Sequence, residues 1–435
     1  MGRVGLTPIS EVKQPVAVDI RYIVPIYSEL LRRGIVDKPI AMEEESRVAL
    51  SGFDLLEALN LLGVDMAPTI ALDRSEFEVI STCGRPISLD DIVEAGLGGS
   101  KLGYGCFQVK LYLHELPCIN VDLDSLGFSN DYKRRGNLGV YGDTLELLYK
   151  GWPTPLVKLR SFSSDGRLVL AKLEGFNPFS NSIKDRVGWA MIMEALGKGG
   201  LREVIYEATS SNTGIALASI GAILGLRSRF FIPRNIQRVS DVYLKILGAE
   251  VERMPVNLTV EAISEVESRA RMDGATHLNQ FENDANFKVH LKYTARELDL
   301  QLREFGVKPD YIVGGLGTSG HMSAISLYFK SRYGRDVKIV GVQPTRDDVI
   351  PGIRRIETGM RWVHWVEFDR IIDVKCSEAI EGCIEVARRE GLLIGLSSGA
   401  VFHAFKEIAG EDGVYVLIFP DTGYKYGEQF EGYLK

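Results

Sequence analysis

A lysine placed where loop becomes helix can act as a nucleophile, and this chain has one in Asn177-Pro178-Phe179-Ser180-Asn181-Ser182-Ile183-Lys184-Asp185-Arg186. The apolar run Leu168-Val169-Leu170-Ala171 ahead of it reads as a strand, and Val187 to Leu196 behind it as an amphipathic helix. The positive end of a helix dipole favours the neutral amine, which can form a Schiff base with a carbonyl. Taken alone, Lys184 is better explained as a solvated surface charge. Two further stretches change that balance. Glu207-Ala208-Thr209-Ser210-Ser211-Asn212-Thr213-Gly214 and Gly314-Gly315-Leu316-Gly317-Thr318-Ser319-Gly320-His321 each follow an apolar run and precede a helical pattern. Such small-residue loops aim free N–H groups and a helix dipole at one spot, which suits an anion. Gly317 and Gly320 allow close backbone approach, and Thr318 and Ser319 add hydroxyl donors.

At these residues the chain resembles the fold-type II pyridoxal-phosphate enzymes of the cysteine synthase family. The family's Asn-Pro-x-x-Ser-x-Lys-Asp-Arg stands at Asn177 to Arg186 with one residue inserted before Ser182. Its Ser-Gly-Asn-Thr-Gly is Ser210 to Gly214, and its phosphate loop Gly-Thr-Gly-Gly-Thr is Gly317 to His321. Thr-Pro-Leu-Val is Thr154 to Val157 and Ser-Ser-Gly-Ala is Ser397 to Ala400, so five motifs follow in the family's order. The departures are Ser211 for glycine, Ser319-Gly320-His321 for Gly-Gly-Thr, and the arginine pair in Ile350-Pro351-Gly352-Ile353-Arg354-Arg355. With Asn279-Gln280-Phe281 and Pro420-Asp421-Thr422-Gly423, they make the chain similar to the family's O-phosphoserine sulfhydrylase branch.

The resemblance implies pyridoxal 5'-phosphate carried by Lys184, with its phosphate on Gly317, Thr318, Ser319, Gly320 and His321, its ring hydroxyl at Asn212, and its pyridine nitrogen at Ser397 or Ser398, of which Ser397 is preferred. A substrate-carboxylate loop of Thr209, Ser210 and Asn212 with Gln280 follows, and no metal. Arg354 is expected at the dianionic leaving group of O-phosphoserine, since a guanidinium binds a phosphate in two-point fashion; a solvated arginine pair, one member bonded to Glu357, is the bland alternative. The implied reaction converts O-phosphoserine and sulfide, or a sulfur-carrier thiocarboxylate, to cysteine and phosphate. An O-acetylserine sulfhydrylase or cystathionine β-synthase would share every cofactor motif, and a non-catalytic phosphoserine sensor is a third reading. Family members are usually dimers, so a homodimer is expected.

Alternating strands and helices from Thr144 onward predict parallel α/β sheets in two subdomains with the site between them. Helices are expected at Asp185, Thr213, Asp241, Thr259, Ala285 to Phe305, His321 and Ser377. Residues 1–128 read as a small α+β domain: strands at Val16 to Ile20, Arg47 to Leu50 and Pro68 to Asp73, and helices at Tyr27 to Arg33, Phe53 to Leu62 and Leu89 to Ala95. This order resembles ParB-like free serine kinases. Their Asp-Gly-His-His-Arg has become Ser51-Gly52-Phe53-Asp54-Leu55, so this domain is expected to be non-catalytic. A polar, glycine-rich linker is placed at 129–143 and the catalytic domain at 144–435.

The net charge of -7 over 435 residues argues against an anionic partner such as nucleic acid or a membrane surface. Five cysteines without C-x-x-C spacing indicate neither a disulfide scaffold nor a zinc site, and fit a reducing cytoplasm.

Overall fold

Near-continuous apolar runs such as Val414 to Phe419 suit strands buried on both faces. A computed structural model describes residues 4–112, 115–127, 139–410 and 412–434. The chain divides into units of residues 1–133 and 134–435; residues 129–138 of the expected linker lie outside the described residues.

The second unit holds two sheets. The larger runs in the order Leu156–Lys158, Arg167–Leu173, Gly413–Phe419, Tyr311–Gly315, Lys338–Pro344, Arg370–Val374, parallel except for the first strand. The smaller, fully parallel, runs Glu250–Met254, Arg227–Pro233, Val204–Ala208, Thr276–His277. This is the fold-type II architecture, with α/β sheets of parallel strands. The edge strands Leu156–Lys158 and Arg370–Val374 and the helix Leu396–Ile408 were not among the elements expected from sequence. The helix expected over Ala285 to Phe305 is interrupted: α-helix Asp284–Val289 passes into a π-helical turn, His290–Ala295, before Arg296–Glu304. Wide turns of this kind recur at functional sites. Among the described residues, no helix is long and apolar enough to cross a membrane.

What fixes the Lys184 helix is charge. Arg186, in its first turn, is fully buried, and so are Lys172, Glu174 and Glu297. Arg186 Nε donates to Glu174 Oε2 at 2.7 Å, Nη1 to Glu297 Oε2 at 3.1 Å, and its guanidinium lies 4.5 Å from the Trp152 ring centroid. Lys172 Nζ sits 2.6 Å from Glu297 Oε1 and donates to the Thr154 carbonyl at 2.7 Å. Two cations and two carboxylates therefore neutralise one another inside the protein. Burial alone would raise the Glu174 carboxyl; Arg186 and Lys172 override it and hold it at about 2.

In the first unit, Met66–Leu72 lies between Val4–Pro8, antiparallel to it, and Ile40–Glu43, parallel to it. Two expectations fail here. Arg47 to Leu50 forms only isolated bridges, at Val48 and Ala49, because the preceding segment Ile40–Glu43 takes the place beside the central strand. The strand at Val16 stops at Ala17, since Asp19 accepts from the Arg21 N–H and caps a helix, Ile20–Arg33, that begins well before Tyr27. The hairpin Phe77–Ser81 with Phe107–Leu111 was also not expected.

Removing one partner from a buried ion network leaves an unpaired charge, so Glu297→Gln is expected to lower stability in urea unfolding by roughly 3–5 kcal/mol; a loss below about 1 kcal/mol would show that the network does not hold this helix. The pH direction follows from Glu174. Its carboxyl is depressed from 4.5 to about 2, so its contribution is complete above about pH 4.5 and is lost as pH falls toward 2.

Candidate functional site

The loops of interest leave the carboxyl ends of strands in both sheets, where open α/β folds place ligands. The Lys184 loop is tied down before it reaches the cleft. Asp185, buried, accepts from the N–H groups of Phe179 at 2.7 Å and Ser180 at 2.9 Å, and from the Ser180 hydroxyl. Asn177 accepts from Trp152 Nε1 at 2.8 Å and donates to Glu174. The extra residue of this motif is taken up at Asn181, exposed and left-handed at φ 48°. Ile183 N–H donates to the Pro420 carbonyl at 2.8 Å, which sets Lys184 beside Asp421. Lys184 lines the cleft. Burial pushes its ammonium from 10.5 down to about 8, with the Asp421 carboxylate pulling the other way.

Asp421 is the functional residue that sequence reasoning passed over. It is buried, and its Oδ2 accepts from Asn212 Nδ2 at 2.9 Å and Tyr426 OH at 2.6 Å. Its motif, Pro420-Asp421-Thr422-Gly423, was visible, but nothing in it showed a carboxylate facing a lysine.

Asn212 opens the helix Asn212–Ile223 after Ser211, whose φ of 150° and ψ of -58° suit only glycine without strain. Holding a serine there costs roughly 1–3 kcal/mol, and such strain collects at functional loops. Ser210, Asn212 and Gln280 face the cleft. Gln280 donates to the Ala208 carbonyl at 3.0 Å and accepts from Thr213 Oγ1 at 2.7 Å. Behind it, buried Glu207 accepts the N–H groups of Asn279 and Gln280, at 2.8 and 3.2 Å, and burial raises its carboxyl to about 8. Thr209 departs from expectation. Its N–H donates to Phe231 and its hydroxyl oxygen accepts from the Ser211 and Gly214 N–H groups, so it shapes the loop and does not line the cleft.

In the glycine loop, Gly317, Thr318 and His321 face the cleft. Gly320 packs on Asn286, where an added Cβ would meet the amide oxygen at 2.3 Å, and Ser319 adopts the left-handed conformation at φ 71°. Burial and the Lys184 charge push the His321 imidazole down to about 3, so it is neutral. Among the described residues, the buried polar atoms without a hydrogen-bond partner include Ser319 Oγ, His321 Nε2, Asn212 Oδ1 and Asp421 Oδ1, in the loops around the cleft. Ser397 lines the cleft, whereas Ser398 lies 3.5 Å from the Asp421 carbonyl.

The arginine pair divides. Arg355 turns away to Asp373 at 2.7 Å and Glu357 at 2.9 Å. Arg354 lines the cleft over the Phe281 ring at 5.2 Å; its Nε donates to the Gly317 carbonyl at 2.9 Å and its Nη1 to Thr358. No described carboxylate pairs with Arg354, and burial lowers its guanidinium to about 10 against the pull of Glu282.

The family model described as pyridoxal-phosphate dependent enzyme matches residues 147–421. Cysteine synthase B of Escherichia coli (strain K12) is 34% identical over 284 residues, covering 63% of this chain and 91% of its own. Cysteine synthase of Aquifex aeolicus (strain VF5) is 34% identical over 272 residues, covering 59% and 82%. Among solved structures, O-ureido-L-serine synthase is similar with a TM-score of 0.59 at 25% identity, over 66% of this chain and 93% of that one. A hydrogen sulfide-producing enzyme from Fusobacterium nucleatum is similar with a TM-score of 0.60 at 28% identity, over 66% and 100%.

The depressed Lys184 ammonium is open to measurement. In protein freed of pyridoxal phosphate, labelling of Lys184 by an amine-selective reagent is expected to rise with pH around a midpoint near 8, and Asp421→Asn, which removes the charge that raises it, should move the midpoint lower. A midpoint near 10.5 for the native chain would place Lys184 in water.

Proposed function

The chain belongs to the pyridoxal-phosphate dependent enzyme family, and from that premise we propose a β-replacement that converts O-phospho-L-serine and sulfide to L-cysteine and phosphate. The cofactor is pyridoxal 5'-phosphate, and the residues present fit it: a half-buried lysine and a glycine loop opening a helix line one cleft, with buried polar atoms of Asn212 and His321 that, among the described residues, have no hydrogen-bond partner. Lys184 would carry it, the Gly317 to His321 loop would hold its phosphate, Asn212 its ring hydroxyl and Ser397 its pyridine nitrogen. When bound, this group withdraws electrons from the α-carbon of an attached amino acid.

The chain's own groups do the rest. With its pKa near neutrality, Lys184 Nζ removes the α-proton as general base and later returns it. Asn212, at the start of the helix after Ser211, with Ser210 just ahead of it and Gln280 across the cleft, holds the substrate carboxylate against the dipole. A neutral His321 keeps a second positive charge away from Lys184. A serine at the pyridine nitrogen leaves that nitrogen unprotonated, which favours elimination of the leaving group over amino-group transfer.

The observation that carries the phosphoserine reading is Arg354, a buried guanidinium on the cleft wall with no carboxylate partner among the described residues. Buried charges are normally paired, and a dianionic leaving group supplies the missing charge, whereas an acetyl group supplies none. The first unit is read as non-catalytic, because it lacks the charged groups that would hold nucleotide phosphates.

Because Arg354 Nε also holds the Gly317 carbonyl, truncation to alanine would disturb the glycine loop. Arg354→Gln removes the charge and retains a donor. It is expected to lower kcat/KM for phosphoserine roughly ten- to a hundredfold, the worth of about 1.5–3 kcal/mol for one charged hydrogen bond, and to leave acetylserine nearly unchanged. Equal loss with both substrates would assign Arg354 to the loop alone, and a phosphoserine-specific loss in Arg355→Ala but not in Arg354→Gln would move the role to its neighbour.

A further inference from the structure

We propose that Thr358 is a positioning residue that aims Arg354 at the substrate's leaving group and so sets specificity for a phosphorylated amino acid; the inference rests on the phosphoserine reading above. A guanidinium has five N–H donors, one on Nε and two on each Nη. In Arg354 the Nε donor goes to the Gly317 carbonyl at 2.9 Å, and Nη1 gives both of its donors to one residue, to Thr358 Oγ1 at 2.7 Å and to the Thr358 carbonyl at 3.1 Å. Nη2 has no hydrogen-bond partner among the described residues and, unlike the orphaned atoms of the glycine loop, keeps contact with solvent. Arg354 lines the cleft, with its guanidinium over the Phe281 ring. The two N–H groups of Nη2 are therefore the ones left for a ligand, and both stand on a single nitrogen.

Thr358 can hold that guanidinium because it is itself fixed. It ends the short turn Ile356–Thr358, where its N–H donates to the Arg355 carbonyl at 3.1 Å and its hydroxyl to the same carbonyl at 2.6 Å. With its one proton spent there, the hydroxyl oxygen meets Arg354 as an acceptor, which settles the direction of that bond. The branched side chain of threonine restricts rotation about its first bond as well. The other end of the turn is pinned to the sheet. Ile356 N–H donates to Gln343 Oε1 at 3.0 Å, Gln343 Nε2 donates to Asp373 Oδ1 at 2.8 Å, and Arg355 Nη1 donates to Asp373 Oδ2 at 2.7 Å. Arg355, which turns away from the cleft, thus anchors the turn that aims Arg354. A free arginine loses much rotamer freedom when it grips an anion; here that freedom is already lost on folding, so the leaving group meets a preorganised donor.

The test compares the native holoenzyme with Thr358→Val, which keeps the branched shape and loses the hydroxyl, and with Thr358→Ser, which keeps the hydroxyl. Values of kcat/KM are measured with O-phosphoserine and with O-acetylserine, inorganic phosphate is titrated as an inhibitor of acetylserine turnover, and the cofactor absorbance is recorded. Thr358→Val is expected to lower kcat/KM for phosphoserine and to raise the inhibition constant of phosphate by similar factors, roughly three- to thirtyfold for a weakened charged hydrogen bond. The ratio of phosphoserine to acetylserine activity should fall by the same factor with the cofactor spectrum unchanged, and Thr358→Ser should recover most of the loss. Equal losses with the two substrates, or an altered spectrum, would make Thr358 a support of the fold or of the glycine loop and overturn the proposal. So would a native preference for phosphoserine that survives intact in Thr358→Val. A native enzyme without that preference would instead overturn the phosphoserine reading itself, and this inference with it.

Discussion

The buried contact between Arg186 and the carboxylates of Glu174 and Glu297 is the constraint on which the catalytic unit depends. Taking a guanidinium out of water costs several kcal/mol unless partners are aligned and its remaining donors filled. Here the alignment draws on distant parts of the chain. Glu297 lies 111 residues from Arg186, Thr154 closes the network by donating to Glu174 at 2.7 Å, and Lys172, near the end of the strand Arg167–Leu173, balances the charge. Because Arg186 and Lys184 share one helical turn, whatever fixes the first fixes the second. The Asn177 to Arg186 motif is then mostly a mounting: Asn177, Asp185 and Arg186 hold the loop, and Lys184, with Ile183 beside it, lines the cleft.

The cleft combines charges that the fold does not cancel. Lys184 faces Asp421, which is shared with Asn212 and Tyr426. Arg354 stands against the glycine loop with no carboxylate paired to it among the described residues. In a low-dielectric site such groups act strongly on a ligand, and the strained Ser211 and left-handed Ser319 stand in the loops beside them. The π-helical turn at His290–Ala295 packs behind the same region, with the His290 ring 5.8 Å from that of His321.

Much of this could be read in the sequence, for identifiable reasons. Strand, small-residue loop and helix follow one another at Lys184, Asn212 and Gly317, and that order is local, so pattern alone placed the loops. The division between Arg354 and Arg355 was not legible, since it depends on Asp373 and Glu357 claiming one of two adjacent arginines. Nor was Thr209, whose hydroxyl is spent on its own loop. The partners of Arg186 are distant carboxylates, and a single sequence carries no signal for which of its acidic residues meet in the interior. In the first unit, Ile40–Glu43 lacks the alternation of a half-exposed strand, because all four residues are buried, and the more regular run at Arg47 drew the assignment instead.

The proposed preference for a phosphorylated amino acid rests on Arg354, which no described carboxylate pairs. The most direct measurement is cysteine formation from sulfide by the native enzyme, with O-phosphoserine and O-acetylserine compared by kcat/KM under identical conditions. A clear preference for phosphoserine is predicted; an equal or greater kcat/KM for acetylserine would contradict the account.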